Sequence, residues 1–366
     1  MSTTLKIGYT AAMLFALFIV IGGKFPAFGR MFLADEPVEY VNGDQYRMCD
    51  LERFREDIPL TRVSATAPLE QADVITLGDS FFKSALGSDL FANELAARLG
   101  LKVHNLETAE FFEPQSYPLS YLESIGYRGG KSRILVLETV ERSILERAGT
   151  YNKAGASTSN DLDAFAFKVL KNNDVEYFFK HNVLVYPVMK WLKNLRFEQL
   201  GIVDKSIGAY SLEPKMLFYQ RDLAFSREKK SDALVEATAD SIASLAATLK
   251  ERYDLELIYL PIPNKYSVYH SLVANGYSYD GFIPRLCQAL TRRGVKNLDA
   301  YTLYSRYNKP AMPLLYFGSD THYTGHGKAL LAAACAELIK VVRQADATGT
   351  LSAGLATAPG PGTKDR

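Results

Sequence analysis

The sequence predicts an α/β fold of three layers, with a central parallel sheet between helices, an N-terminal transmembrane helix in front and a helical insertion within. Three observations carry this reading. Short apolar runs (ADVITL at 72–77, RILVL at 133–137, LELIYLPIP at 255–263) alternate with longer stretches of helix-like spacing, which is the signature of strand–helix–strand units. A run of 17 residues without a charge, Ile7 to Gly23, opens the chain. The alternation then breaks off between 143 and 230, a stretch rich in Asn, Lys and aromatic residues with helical pieces near 162–200.

The opening run corresponds to about 25 Å of helix, near the lower limit for crossing a bilayer. Lys6 and the terminal amine precede it, which favours a cytoplasmic N-terminus, and no A-x-A cleavage site follows it. Residues 1–30 are therefore expected to form an uncleaved, single-pass anchor in a bacterial inner membrane, with a cleaved signal peptide as the alternative and the rest of the chain periplasmic or extracytoplasmic. Residues 31–70 carry many charges and read as a connector with short helices. The domain proper is expected over 71–344. Its elements are a strand at 72–77, a helix from Phe82 to Leu99, a strand from Leu101 to Leu106, a helix within 116–127 and a strand at 133–137. After the insertion come a helix from Ser231 to Arg252, a strand at 255–263, a helix from Tyr279 to Gly294, a short strand from Val295 to Leu298 and a last helix from Gly325 to Arg343. Residues 345–366 are rich in Gly, Ala, Thr and Pro and read as a disordered tail. The aromatic stretch 176–192 reads as an insert packed in the core, with a membrane, a lid or a partner as the alternatives.

Composition excludes several functions. With 42 basic and 41 acidic residues the chain carries a formal charge of +1, and no basic run marks a nucleic-acid surface. Three cysteines without a C-x-x-C give neither a disulfide framework nor a zinc site. No metal and no cofactor is expected.

Two short segments can carry chemistry. Gly78-Asp79-Ser80 ends the first strand and precedes a helix. A serine there lies at the carboxyl end of a parallel strand, where open α/β sheets build their sites, and helix-start amides can hold an oxyanion. The same tripeptide also suits ordinary helix capping. The second segment is Asp320-Thr321-His322-Tyr323, just before the last helix. A serine nucleophile needs an imidazole base, and the imidazole needs a carboxylate to fix its tautomer. His326 is the competing base. His104, His181 and His270 have no carboxylate in a comparable loop.

GDSF after the first strand and DTHYTGHG before the last helix resemble the SGNH (GDSL-type) hydrolase superfamily, and within it the alginate O-acetyltransferase-like group. The resemblance extends to VLETVERS (136–143) and YLPIPNKYSVY (259–269). It implies an SGNH-like domain in which Ser80 is the acyl-accepting nucleophile, His322 the general base and Asp320 its orienter. The Gly and Asn that complete the oxyanion hole in typical members have no counterpart, since no G-x-N-D occurs. Asn105, Arg142 and the Ser80 amide are the candidate oxyanion donors. Asn264, Lys265, Tyr269 and Tyr323 are the candidate substrate-binding residues. Arg142 has two further readings, as a sugar ligand or as a partner of Glu138 or Glu141. Lys265 has a second reading as a solvated loop lysine. The serine precedes the Asp-x-His pair, whereas in alginate-type proteins it follows, so alginate itself is not implied.

Together these features imply O-acetyl transfer onto an exported polysaccharide. The acetyl donor would be delivered by a multi-spanning membrane acyltransferase. A periplasmic carbohydrate acetylesterase and a non-catalytic polysaccharide-binding assembly protein are the alternatives.

Overall fold

The computed structural model describes residues 3–22, 51–56, 58, 61, 63–83, 85–106, 115–153, 185–309 and 312–348. Helix α1 (Thr3–Gly22) opens the chain. Single 3-10 turns at Glu52–Phe54 and Leu69–Gln71 lead to strand β1 (Val74–Leu77) and the one-turn helix α2 (Ser80–Lys83). Next come α3 (Phe91–Leu99), β2 (Val103–Leu106), α4 (Pro118–Ser124), β3 (Ile134–Val140) and α5 (Ile144–Ala148). The middle of the chain adds α6 (Val185–Leu200), β4 (Ile207–Leu212), β5 (Lys215–Tyr219) and α7 (Gln220–Arg227). The last third holds α8 (Asp232–Tyr253), β6 (Glu256–Ile262), α9 (Lys265–Tyr269), α10 (Phe282–Arg292), β7 (Lys296–Asn297), α11 (Ala300–Tyr307) and α12 (Gly325–Thr348).

The apolar runs form one parallel five-stranded sheet in the order β2-β1-β3-β6-β7. Every residue of β1 and β3 is buried, as expected of parallel strands covered on both faces. Alternate side chains enter two separate cores. Val74, Val136 and Ile258 pack with residues of α3, α9, α11 and α12 on one face. Ile75, Leu77, Leu135, Leu137 and Tyr259 pack with α4, α5, α8 and α10 on the other. The result is the expected three-layer α/β arrangement.

Helix α8 shows why these segments are helical. Val235, Ala239, Ile242, Leu245 and Leu249 recur at spacings of three and four, so one face is buried. Each of its Val, Ile and Leu side chains contributes about 1.5–3 kcal/mol on leaving water. Ser231 caps the helix by accepting from the Leu234 amide at 3.2 Å.

Four expectations change. First, α1 forms, but among the described residues no helix is long and apolar enough to cross a membrane. Thr3, Thr4, Lys6, Tyr9 and Thr10 fill its first half, and the uninterrupted apolar part from Ala11 to Ile21 extends only about 16 Å. Second, the helix read from Phe82 to Leu99 divides into α2 and α3. Gly87 adopts φ +70 in the break, and a Cβ there would lie 3.1 Å from the Phe317 ring. Third, the insertion is not purely helical, because β4 and β5 pair as an antiparallel hairpin that buries Met216, Leu217 and Phe218. Fourth, helix α11, capped by Asp299 on the Thr302 amide, had no counterpart in the sequence reading. The connector before residue 51, residues 154–184 and the tail beyond 348 lie outside the described residues.

Candidate active site

The site is assembled where β1, β3 and β6 end. Strand β1 exits through Gly78, whose position is fixed by crowding. A Cβ there would lie 2.6 Å from Glu138 Oε2 and 2.9 Å from the Phe82 ring. The Asp79 amide donates to Glu138 Oε2 at 2.8 Å, and Asp79 Oδ1 accepts from the Phe81 amide at 3.1 Å. The other oxygen of Asp79 pairs with Arg147 Nη1 at 2.9 Å. These contacts hold Ser80 at the first position of α2.

On the opposite side, the loop after Leu315 carries Asp320 and His322. An isolated bridge between Tyr316 and Tyr323 closes the loop. The His322 amide and His322 Nδ1 both meet Asp320 Oδ1, at 2.7 and 2.6 Å. His322 Nε2 faces Ser80 Oγ at 2.8 Å. Asp320 and His322 are buried and Ser80 is half-buried. The Phe81 ring packs beside the imidazole, with centroids 4.9 Å apart. The structure thus brings Ser80, His322 and Asp320 into one hydrogen-bonded chain, with the hydroxyl end toward solvent. A hydroxyl, a base that takes its proton and a buried carboxylate that steadies the base are the parts of acyl-transfer chemistry.

The other histidines are elsewhere. His104 Nδ1 meets the Ala67 carbonyl at 2.7 Å and His270 Nδ1 the Ser267 carbonyl at 3.0 Å. His326 has a buried Nε2 with no partner among the described residues. His181 lies outside them.

Of the candidate binding residues, Lys265, Tyr269 and Tyr323 are spent inside the protein. Lys265 is buried, and its ammonium donates to the carbonyls of Phe317, Gly318 and Asp320. It is neither solvated nor placed to meet a ligand. The Tyr269 hydroxyl accepts from the Leu315 amide at 2.9 Å, and the buried Tyr323 hydroxyl donates to the Phe81 carbonyl. Asn264 accepts from the Arg142 amide at 3.3 Å, and its buried Nδ2 has no partner among the described residues. Arg142 pairs with Asp222 at 3.1 Å rather than with Glu138 or Glu141, and its guanidinium lies 5.5 Å from the Tyr219 ring centre. Asn105, at the end of β2, accepts from the Thr76 hydroxyl at 2.9 Å, which fixes the orientation of its amide.

Three supporting groups escaped the sequence reading. Glu138 and Arg147 form a buried network beneath Ser80 with Asp79. Burial, and then the Asp79 charge, push Glu138 well above the ordinary carboxylate range. Burial also opposes ionisation of Asp79, but the Arg147 charge and the Phe81 amide outweigh it and hold that carboxyl below its usual value. The signal for Glu138 was present, as an acid inside the buried run ILVLETV. Glu56 is the third: its Oε2 accepts from the Ser319 amide at 2.7 Å and from the Ser319 hydroxyl at 2.9 Å. It clasps the Asp–His loop across 263 residues of sequence. Among the described residues no cluster of side chains suits a metal ion.

Residues 213–363 match the family model of the SGNH hydrolase-like domain of the acetyltransferase AlgX. The resemblance to the SGNH alginate O-acetyltransferase-like group read from the motifs is thereby borne out. The matched stretch includes Lys265, Asp320 and His322, and Ser80 lies before it. It supports an enzyme of the hydrolase or acyltransferase kind. No curated protein and no solved structure matches the chain.

Proposed function

We propose that the chain is a serine-dependent O-acyltransferase that works through an acyl-Ser80 intermediate. The observation that carries this reading is the hydrogen-bonded chain Ser80–His322–Asp320, with links of 2.8 and 2.6 Å.

In this reading His322 Nε2 takes the Ser80 proton as Oγ attacks the acyl carbonyl of the donor. The imidazolium that forms is steadied by Asp320. The tetrahedral oxyanion is held by the Ser80 amide, with the Asn105 side chain as the second donor. Collapse breaks the bond to the donor, and His322 returns the proton to the leaving group. A second hydroxyl then enters, gives its proton to His322 and attacks acyl-Ser80. Release of the new ester restores the serine.

The acyl group is an acetyl group, a reading supported by the match to an acetyltransferase domain, and the acceptor is a hydroxyl of an exported polysaccharide, as the motif resemblance implies. The donor is supplied by a multi-spanning membrane acyltransferase, and the compartment is the periplasm, where an exported glycan is within reach.

The test incubates the purified full chain with a chromogenic acetyl ester, with and without oligosaccharides, and follows the products by mass spectrometry. An acetylated oligosaccharide is the expected product. Release of acetate alone under every condition would assign a carbohydrate acetylesterase instead. Ser80→Ala is expected to lower either activity by about a thousandfold or more with the fold retained. Unchanged turnover in that variant would overturn the nucleophile.

A further inference from the structure

Lys265 stands three residues past the last residue of β6, at the start of helix α9, and is 1% exposed. Its Nζ lies 3.0 Å from the Phe317 carbonyl, 3.0 Å from the Gly318 carbonyl and 2.7 Å from the Asp320 carbonyl. An ammonium has three protons, and these acceptors match that count. The Phe218 ring centre lies 5.7 Å from Nζ. Taking an ammonium out of water costs several kcal/mol unless acceptors converge on it. Here they converge from one stretch of four residues, the stretch that ends in Asp320.

The geometry has a direct bearing on the Ser–His–Asp chain. The carboxylate of Asp320 holds both the amide and the ring of His322. The backbone of the same residue is held by Lys265. Further along the loop, the Phe317 amide donates to the His322 carbonyl at 3.1 Å. The Leu217 amide donates to the Gly318 carbonyl at 2.8 Å, and Glu56 holds Ser319. Any shift of the Asp320 backbone moves the carboxylate, and with it the ring nitrogen that faces Ser80.

We propose that Lys265 is a positioning residue for the Asp320–His322 pair. By gathering three carbonyls of the loop onto one ammonium, it sets where the carboxylate, and therefore the imidazole, stands relative to Ser80. This rests on the reading of Ser80 as the nucleophile.

The experiment compares Lys265→Met, Lys265→Gln and Lys265→Arg in the full chain, with Ser80→Ala beside them. The readouts are kcat and KM for a chromogenic acetyl ester, corrected for folded protein by circular dichroism. A second readout is the far-downfield proton resonance of the His322 Nδ1–Asp320 hydrogen bond. Lys265→Met is expected to lower kcat about a hundredfold, the scale of a misplacement near 1 Å. KM is expected to change by less than about twofold, since ester binding is untouched. The downfield resonance should broaden or disappear. Lys265→Gln keeps two of the three donors and should fall between wild type and Met in both readouts. Lys265→Arg keeps the charge and should recover about tenfold in kcat over Met. A lysine that only holds the fold would lower the melting temperature and spare both kcat and the resonance. Wild-type kcat with an unchanged resonance in folded Met or Gln variants would overturn the proposal. Ser80→Ala should keep the resonance and lose turnover. Retained turnover in that variant would sink the nucleophile reading alone, because the resonance still reports on the pair.

Discussion

The loop bearing Asp320 and His322 and the helix α6 invert the usual partition of side chains in opposite senses. The loop and its surroundings bury ionisable side chains: Asp320, Lys265 and Glu138 are each at most 1% exposed. Helix α6 exposes apolar groups instead. Val188, Trp191, Leu192 and Leu195 are 40–61% exposed and recur at helical spacing along one outward stripe. Its charged Lys190 and Lys193 turn inward and pair with Glu52 and Asp204. The difference teaches how each region holds together. The buried charges depend on named partners, so each partner is a point of failure. Among the described residues the stripe has no interior partners, so its residues can change at little cost to the described part of the domain.

The comparison is broken most severely by removing a buried partner. Arg147→Met leaves Asp79 and Glu138 facing each other without their cation beneath Ser80. The variant is expected to lose about 3–5 kcal/mol of stability, measured by urea unfolding. A loss below 1 kcal/mol would mean that the network is hydrated and not dependent on its pairing.

A smaller effect comes from Glu141, whose carboxyl is pushed up to about 7. Burial is the main cause. The Ser267 hydroxyl and the Asn264 amide, at 2.5 and 2.9 Å, pull it back down, and the Asp222 charge adds to the rise. In the unfolded chain this acid ionises near its ordinary value of 4.5. Between about 4.5 and 7 the folded state therefore holds a proton that the unfolded state has lost. Stability should fall as pH rises through that window, by about 3 kcal/mol in all, and level off above it. Glu141→Gln should flatten this slope in unfolding curves taken across the window. An unchanged slope would assign the pH dependence to another group.

The smallest effect sharpens the other side of the comparison. Trp191→Ser and Leu195→Ser should each change stability by no more than about 0.5 kcal/mol, the range of ordinary surface substitutions. A loss above about 2 kcal/mol would show that the stripe is packed after all.

How much was legible follows the same division. Parallel strands buried on both faces leave continuous apolar runs, so β1, β3 and β6 could be read directly. Ser80, Asp320 and His322 stand in short local motifs at element ends, and their convergence followed from the fold. The partners of Arg142 and Lys265 could not be read, because Asp222 lies 80 residues from Arg142 and the carbonyls held by Lys265 lie 52–55 residues on. Backbone acceptors leave no mark in a sequence. The hairpin was missed because β4 does not alternate cleanly, with buried positions only at Ile207 and Ser211. The outward turn of helix α6 could not be read, because an apolar stripe looks the same in a sequence whether it turns in or out.

The clasp between Glu56 and Ser319 carries a practical consequence. A shortened chain that begins at β1 would keep every group of the Ser–His–Asp chain and still lose one wall of the mould that shapes it. The stretch ahead of the sheet is then more than a tether. Its carboxylate works as a latch on a loop from the far end of the sequence, so the smallest fully shaped unit begins upstream of the first strand.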